Sequence, residues 1–223
     1  MADKIAVFDL DRTITRRGTY LPFLVFAAWR RQPWRLAFLP AALAAMAGYK
    51  LGLMTRGQLK ERMLAWLLGA PERTVVAALA MAFVERLMAQ GLKPGALAAI
   101  AAHRAAGDRL ILATASFDFY ACEFARRLGF CGLVATRAAW DQAGRLLPRI
   151  DGANCYGPAK LAMLRAHLRQ AGIEEGSLHL VFYSDDRADL PTLEWARQGY
   201  VVDPRRGFAR QARRMGFPIL AWA

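Results

Sequence analysis

Short apolar runs alternate with longer amphipathic stretches along most of this chain. Residues 4–10 (KIAVFDL), 109–116 (RLILATAS), 178–185 (LHLVFYSD) and 199–203 (GYVVD) are mostly apolar and rich in β-formers. That pattern predicts strands buried on both faces, as in a parallel sheet, and residues 133–137 (LVATR) are a further candidate. Between them, residues 94–108, 118–128 and 160–170 predict helices, the first with Gly107 as a C-cap. Strand–helix alternation of this kind predicts an α/β fold, a Rossmann-like parallel sheet covered by helices. Ligands in such sheets bind beyond the C-terminal strand ends. Polar residues stand there in this chain: Asp9 with Asp11, Thr114 with Ser116, and Asp185 with Asp186.

Residues 17–90 break the alternation. They contain no convincing strand and predict several helices inserted after the first strand. Pro71 and Glu72 are expected at the start of one helix, with Val75, Leu79, Phe83 and Leu87 forming its apolar stripe. The division expected is a core from residues 1–16 and 91–223, and a helical cap from 17–90.

Composition changes the picture in one respect. The chain has 223 residues and is 56% hydrophobic, enough for a core with a small cap and too apolar for disorder. Yet 31 Lys+Arg face 18 Asp+Glu, a formal charge of +13. A chain both greasy and basic points to a polyanion, either a membrane surface or a nucleic acid. Cys122, Cys131 and Cys155 form no metal or disulfide spacing and are expected as reduced thiols. The N-terminus lacks the apolar run of a secretory signal. His103, His167 and His179 match no metal or triad spacing and are expected to be structural.

The chemistry lies in four places. Asp9 and Asp11, two apart in extended chain, can face one crevice, where two carboxylates either hold a metal or serve as nucleophile and acid/base. An ordinary strand-to-turn acid pair has the same spacing. Thr114 closes a buried strand, with Ala115 behind it, where a hydroxyl and free N–H groups can bind phosphate oxygens. Lys160 opens a helix, a position equally open to a solvated surface lysine. Asp185, Asp186 and Asp189 cluster after a strand, either as Mg²⁺ ligands or as acids favouring a helix N-terminus.

Taken in order, FDLDRT at 8–13, Thr114, Lys160 and SDDRAD at 184–189 resemble the four motifs of the haloacid dehalogenase superfamily. The insertion after the first motif resembles the subfamily IB, phosphoserine-phosphatase-like branch with a C1-type helical cap. The resemblance implies a phosphomonoester hydrolase in which Asp9 is the nucleophile and forms an aspartyl-phosphate. It implies Mg²⁺ held by Asp9, the backbone carbonyl of Asp11, and Asp185. Lys160, Thr114 and the Ala115 N–H would hold the phosphoryl oxygens, Asp11 would act as acid and then base, and Asp189 and Asp186 would support the site. Arg12 stands where many relatives carry Gly or Ser, and Ala188 where asparagine is usual. Gly18 replaces the glutamate that holds the substrate ammonium in phosphoserine phosphatases, which argues against phosphoserine.

Residues 20–54 carry the remaining signal. Two uncharged runs, 20–29 and 36–49, flank Arg30-Arg31-Gln32-Pro33-Trp34-Arg35. Neither reaches the ~20 apolar residues that span a bilayer, and Pro40 is expected to weaken the second helix. A buried cap hairpin and an interfacial hairpin anchored by Trp29, Trp34 and arginines both fit. Residues 12–62 hold ten Lys+Arg and one Glu, and residues 204–223 hold five arginines and no acid. The cap run RRQPWRLAFLPAALAAM is similar to bacterial phosphatidylglycerophosphate phosphatases of the C type. The leading expectation is therefore a Mg²⁺-dependent phosphatase on a phosphate monoester, cytoplasmic and peripheral at an anionic membrane surface, with a phospholipid phosphate as one substrate. A soluble small-metabolite phosphatase, phosphoserine included, is the alternative. A non-catalytic basic module binding lipid or nucleic acid is the third, though no specific nucleic-acid motif is present.

Overall fold

In a computed structural model, which describes residues 4–174 and 178–223, six parallel strands form the central sheet in the order β3-β2-β1-β6-β7-β8. Met1 to Asp3, on which part of the N-terminal reading falls, lie outside the described residues. The strands are β1 (Lys4–Phe8), β2 (Arg109–Phe117), β3 (Gly132–Thr136), β6 (His179–Ser184), β7 (Gln198–Val202) and β8 (Ile219–Leu220). In register, Val7 lies between Ile111 and Phe182, so the centre of the sheet is apolar on both sides. The strand order reverses at β1, between β2 and β6. That is the switch point at which parallel sheets open a crevice.

Two apolar clusters cover the two faces. Alternate β1 residues divide between them: Ile5 and Val7 join Leu164, Phe182 and Phe208, whereas Ala6 and Phe8 join Phe124, Tyr183 and Trp222. Helices α5 (Pro94–Ala105), α6 (Asp118–Leu128), α7 (Pro158–Gln170), α8 (Leu190–Trp195) and α9 (Arg206–Arg214) complete the layers. A two-stranded antiparallel hairpin, β4 (Ala138–Trp140) and β5 (Leu146–Ile150), stands apart from the main sheet.

Between β1 and α5, which leads into β2, the chain makes four α-helices: α1 (Tyr20–Arg31), α2 (Leu39–Lys50), α3 (Arg56–Leu67) and α4 (Arg73–Gln90), with a 3₁₀ segment, Pro33–Phe38, between the first two. Three expectations need correction here. Pro71 is not the first residue of α4: Glu72 is its N-cap and Pro71 precedes it. The buried stripe of α4 is Val76, Leu79, Ala80, Phe83 and Val84, and Val75 is exposed, because the true face has steps of three and four rather than four alone. Pro40 does not weaken α2. It sits in the first turn, where its missing N–H is not needed.

Candidate active site

Strand β1 ends at Phe8, and the Asp9 N–H makes a final bond of 2.9 Å to the Tyr183 carbonyl of β6. The next residues form a tight turn, Leu10–Ile14, in which Arg12 takes a left-handed φ of 63°. Extended spacing therefore does not explain how Asp9 and Asp11 reach the same pocket, because this turn places them there. The left-handed position also gives a physical reason for glycine at the Arg12 site, since a Cβ there costs about 1 kcal/mol. Lys93 supports the turn by donating its ammonium to the Arg12 carbonyl.

Asp9, Asp11, Ala115, Lys160, Asp185, Asp186 and Asp189 line one pocket. Lys160 Nζ lies 2.8 Å from Asp9 Oδ1 and 2.6 Å from Asp189 Oδ2. Its residue is 2% exposed, so the solvated-lysine alternative is excluded. Ser184 Oγ donates to the same Asp189 oxygen at 2.6 Å. Asp189 thus orients the lysine from beneath. Thr13 joins the two outer carboxylates: its hydroxyl is 3.3 Å from Asp9 Oδ2 and 3.4 Å from Asp185 Oδ1, and it accepts the Asp185 N–H at 3.0 Å. Asp11 turns elsewhere. It accepts from the Thr19 N–H at 2.5 Å, the Thr19 hydroxyl at 2.7 Å and the Ser116 hydroxyl at 2.8 Å, and Tyr120 donates to Ser116 at 2.7 Å. Thr114 is fully buried within β2, three residues before its end, where its hydroxyl accepts the Ser116 N–H at 3.0 Å; Ala115 and Ser116 line the pocket, and Thr114 stands behind them, outside the lining. Asp186 caps the short turn that carries Asp189 by accepting the Ala188 N–H, and lies 3.9 Å from the Arg56 guanidinium.

At the inner end of the site one ammonium, Lys160, faces the carboxylates of Asp9, Asp185 and Asp189, while the other cations of the lining, Arg12, Lys50, Arg56, Lys60, Arg187 and Arg205, stand elsewhere on its wall. Burial pushes the Asp9 carboxyl up. The Lys160 ammonium pulls it back, but Asp189, Asp185 and Asp11 add to the upward push. Burial, with Asp186 next, raises Asp185 to about 7. Burial works against the Lys160 ammonium too, yet Asp189 and Asp9 outweigh it and hold its pKa above that of a free lysine, so the proton stays on Lys160. Asp189 Oδ1 is a buried acceptor without a hydrogen-bond partner among the described residues. These features suit a hard dication. The Asp9 and Asp185 carboxylates, tied through one hydroxyl, and the Asp11 backbone carbonyl offer oxygen donors alone. No cluster of three His, Cys, Asp or Glu ligands occurs among the described residues, but Mg²⁺ keeps much of its water and needs only one or two carboxylates.

Three contributors escaped the sequence reading. Thr13 and Ser184 are polar neighbours of the motifs, but nothing in their spacing says which way they turn. Lys60 of α3 is the third. It is 5% exposed, and its ammonium donates to the Ala115 carbonyl at 2.6 Å and to Asn154 Oδ1 at 3.0 Å, above the Phe117 ring at 4.2 Å. It lines the pocket, and burial, followed by the Arg56 guanidinium, draws its amine down to about 7. Cys155 is no rival nucleophile, because burial holds its thiol up at about 12. His103 bonds Asp108 and Tyr183 outside the pocket.

A parallel α/β sheet that brings an aspartate, a buried lysine and a second acidic cluster to its switch point has the architecture of a hydrolase. The haloacid dehalogenase-like hydrolase family model matches residues 6–194, and the chain belongs to that family. It is 32% identical over 161 residues to Protein CicA of Caulobacter vibrioides (strain NA1000 / CB15N), covering 72% of this chain and 71% of that one. A solved structure from Bordetella pertussis Tohama I superposes with a TM-score of 0.87 at 26% identity, covering 99% of both chains. A probable phosphoserine phosphatase from Vibrio cholerae shares the fold, with a TM-score of 0.70 at 14% identity over 100% of this chain and 62% of that one. The chain is therefore a hydrolase of this family, built on the architecture of its phosphatases. No helix among the described residues is long and apolar enough to cross a membrane.

Proposed function

We propose that the protein is a Mg²⁺-dependent phosphomonoesterase that works through an aspartyl-phosphate on Asp9. The observation that carries this reading is the buried Asp9–Lys160–Asp189 line, 2.8 and 2.6 Å, at the end of the central strand. An ionised Asp9 oxygen attacks the phosphorus, and the bond to the ester oxygen breaks as Asp11 gives that oxygen its proton. Water then attacks the acyl-phosphate, Asp11 takes the proton, and inorganic phosphate leaves. Lys160, the Thr114 hydroxyl and the Ala115 N–H are the groups assigned to the phosphoryl oxygens, where one donor is worth about 3 kcal/mol of barrier. Mg²⁺ bound by Asp9, Asp185 and the Asp11 carbonyl would neutralise the repulsion between carboxylate and phosphate. Asp186 shapes the turn below Asp189.

A phospholipid phosphate is the substrate this reading favours, with the enzyme peripheral at the inner face of the cell membrane. The pocket, about 520 Å³, is walled by Leu21, Pro22, Met46, Leu59 and Met63, an apolar lining suited to a greasy alcohol. Gly18, on the same wall, has no side chain to hold an ammonium group. The test is hydrolysis of a generic aryl phosphate with Mg²⁺, for the wild type and Asp9→Asn. Activity should fall by on the order of 10³-fold or more. Radiolabelled phosphate should remain as a hydroxylamine-labile adduct on the wild type alone. Equal rates would refute Asp9 as nucleophile, and a faster turnover of phosphoserine than of lipid phosphates would refute the substrate assignment.

A further inference from the structure

A helix lying on a protein surface normally turns charges outward. Helix α2 does not. Ala42 and Ala45 are buried, and Met46 and Tyr49 line the catalytic pocket. The opposite positions, Pro40, Leu43, Ala44 and Ala47, spaced by three and four residues, are exposed and wholly apolar. The apolar surface continues at both ends of the helix. Before it come Trp29, 68% exposed, and Trp34, 59% exposed, the latter with its ring 6.1 Å from that of Phe38. After it come Leu51 and Leu53, each 75% exposed. A single exposed leucine means little, but a run of this kind on one hairpin marks an interaction surface.

Charge identifies the occupant. Arg30, Arg31, Arg35 and Lys50 surround the run, and no Asp or Glu occurs between Arg12 and Lys60. The Arg35 guanidinium lies 4.8 Å over the Trp34 ring, so cation and indole sit together as they do at a lipid–water boundary. A second copy of the chain is a poor fit, because a two-fold contact sets each patch against itself and brings these cations face to face. Nucleic acid would meet the charge but gain nothing from the apolar face. Helix α2 has only 12 residues, so it lies on a bilayer rather than through it.

We propose that the outward face of α2, with Trp29, Trp34 and Phe38 before it and Leu51 and Leu53 after it, is a docking surface for an anionic lipid bilayer. The inner face of the same helix walls the catalytic pocket, so docking holds that pocket about one helix diameter, ~10 Å, from the headgroups. The proposal extends the phospholipid reading above, but binding needs no turnover, so the two can fail separately.

The experiment is cosedimentation of the full chain, as wild type and as the inactive Asp9→Asn, with phosphatidylglycerol/phosphatidylcholine vesicles and with pure phosphatidylcholine vesicles. Both proteins should bind the anionic vesicles at low salt and be weakened by high salt. The variant Trp34→Ser/Leu43→Ser/Leu51→Ser changes only exposed side chains outside the catalytic site. It should bind roughly tenfold or more weakly while hydrolysing a soluble aryl phosphate at the wild-type rate. Absence of wild-type binding at low salt overturns the proposal, as does wild-type binding by the triple variant. A dimer in light scattering that the triple variant abolishes, without vesicle binding, reassigns the face to self-association. If vesicles are bound but phospholipid phosphates are not hydrolysed, the substrate reading fails and the docking surface stands.

Discussion

A residue acquires a role from the groups that face it. Asp9, Asp11, Lys160 and Asp185 were legible because each is the polar residue at or just beyond a strand end, or at the start of a helix, where the fold leaves backbone facing a crevice. Thr13 was not, since an internal threonine in a turn has no signature. Its hydroxyl spans Asp9 and Asp185. Thr13→Val keeps the shape, removes that link and leaves the Asp185 N–H without its acceptor. We expect Mg²⁺ affinity, measured by calorimetry and by activation, to fall at least about tenfold, as for other residues that orient ligands. An unchanged affinity would show that the threonine orients nothing. Lys60 was illegible for a different reason: its partners, Ala115 and Asn154, lie far along the chain. Its folded pKa, about 7, is below the ordinary lysine value of 10.5. The folded state therefore binds fewer protons than the unfolded chain between those values, and stability rises with pH through that window. Lys60 should contribute about 2 kcal/mol of rise between pH 7 and 9. In urea titrations Lys60→Met should flatten that rise, and an undiminished slope would contradict the assignment.

At the scale of elements, periodicity located the five long apolar strands and the helices between them, because burial on both sides leaves a nearly unbroken hydrophobic run. It failed where elements are short or carry punctuation. Strand β5 contains Pro148, which reads as a break, and it pairs with β4 across a turn in which Gly144 has a φ of 73°, while its Leu146 N–H donates to the Pro71 carbonyl. Strand β8 has two residues and exists only because β7 presents an edge. Helix α3 depends on its N-terminus. Thr55 accepts the Gln58 N–H at 3.2 Å while the Gln58 side chain accepts the Thr55 N–H at 2.9 Å, a reciprocal capping box. The helix has little else to start it, since its first turn lacks an acid and begins Arg56-Gly57. Thr55→Ala should lower stability by about 1 kcal/mol, read from the urea midpoint. Because α3 carries Arg56 and Lys60 to the pocket wall, aryl-phosphatase KM should rise with it. A midpoint within error of the wild type would mean that packing alone holds this helix.

For the whole molecule, the basic C-terminal segment proved to be more than a charged tail. Phe208 and Ala212 of α9 are buried, β8 completes the sheet, and Trp222 packs against Tyr183 with ring centroids 5.2 Å apart. The Trp222 N–H donates to the Asp203 carboxylate at 3.2 Å, Asp203 holds Lys93 at 2.8 Å, and Lys93 donates to the Arg12 carbonyl in the nucleophile turn. The end of the chain is thereby linked to Asp9 and Asp11 through a largely buried ion pair. Composition could suggest the surplus of arginine but not this connection, which joins residues about 190 positions apart in sequence. Asp203→Asn isolates the charge. Residue 203 has a φ of 42°, which asparagine tolerates as well as aspartate does, so the backbone should hold. Removing the carboxylate leaves the Lys93 ammonium, 5% exposed, without its counter-ion. Stability should fall by about 3 kcal/mol, the usual consequence of breaking one side of a buried pair. With the Arg12 carbonyl less firmly held, kcat on an aryl phosphate should fall severalfold while KM stays put, because the pocket wall formed by α1, α2 and α3 is untouched. Loss of stability with kcat unchanged would confine the pair to folding, and neither change would mean that the turn is held by its own backbone bonds.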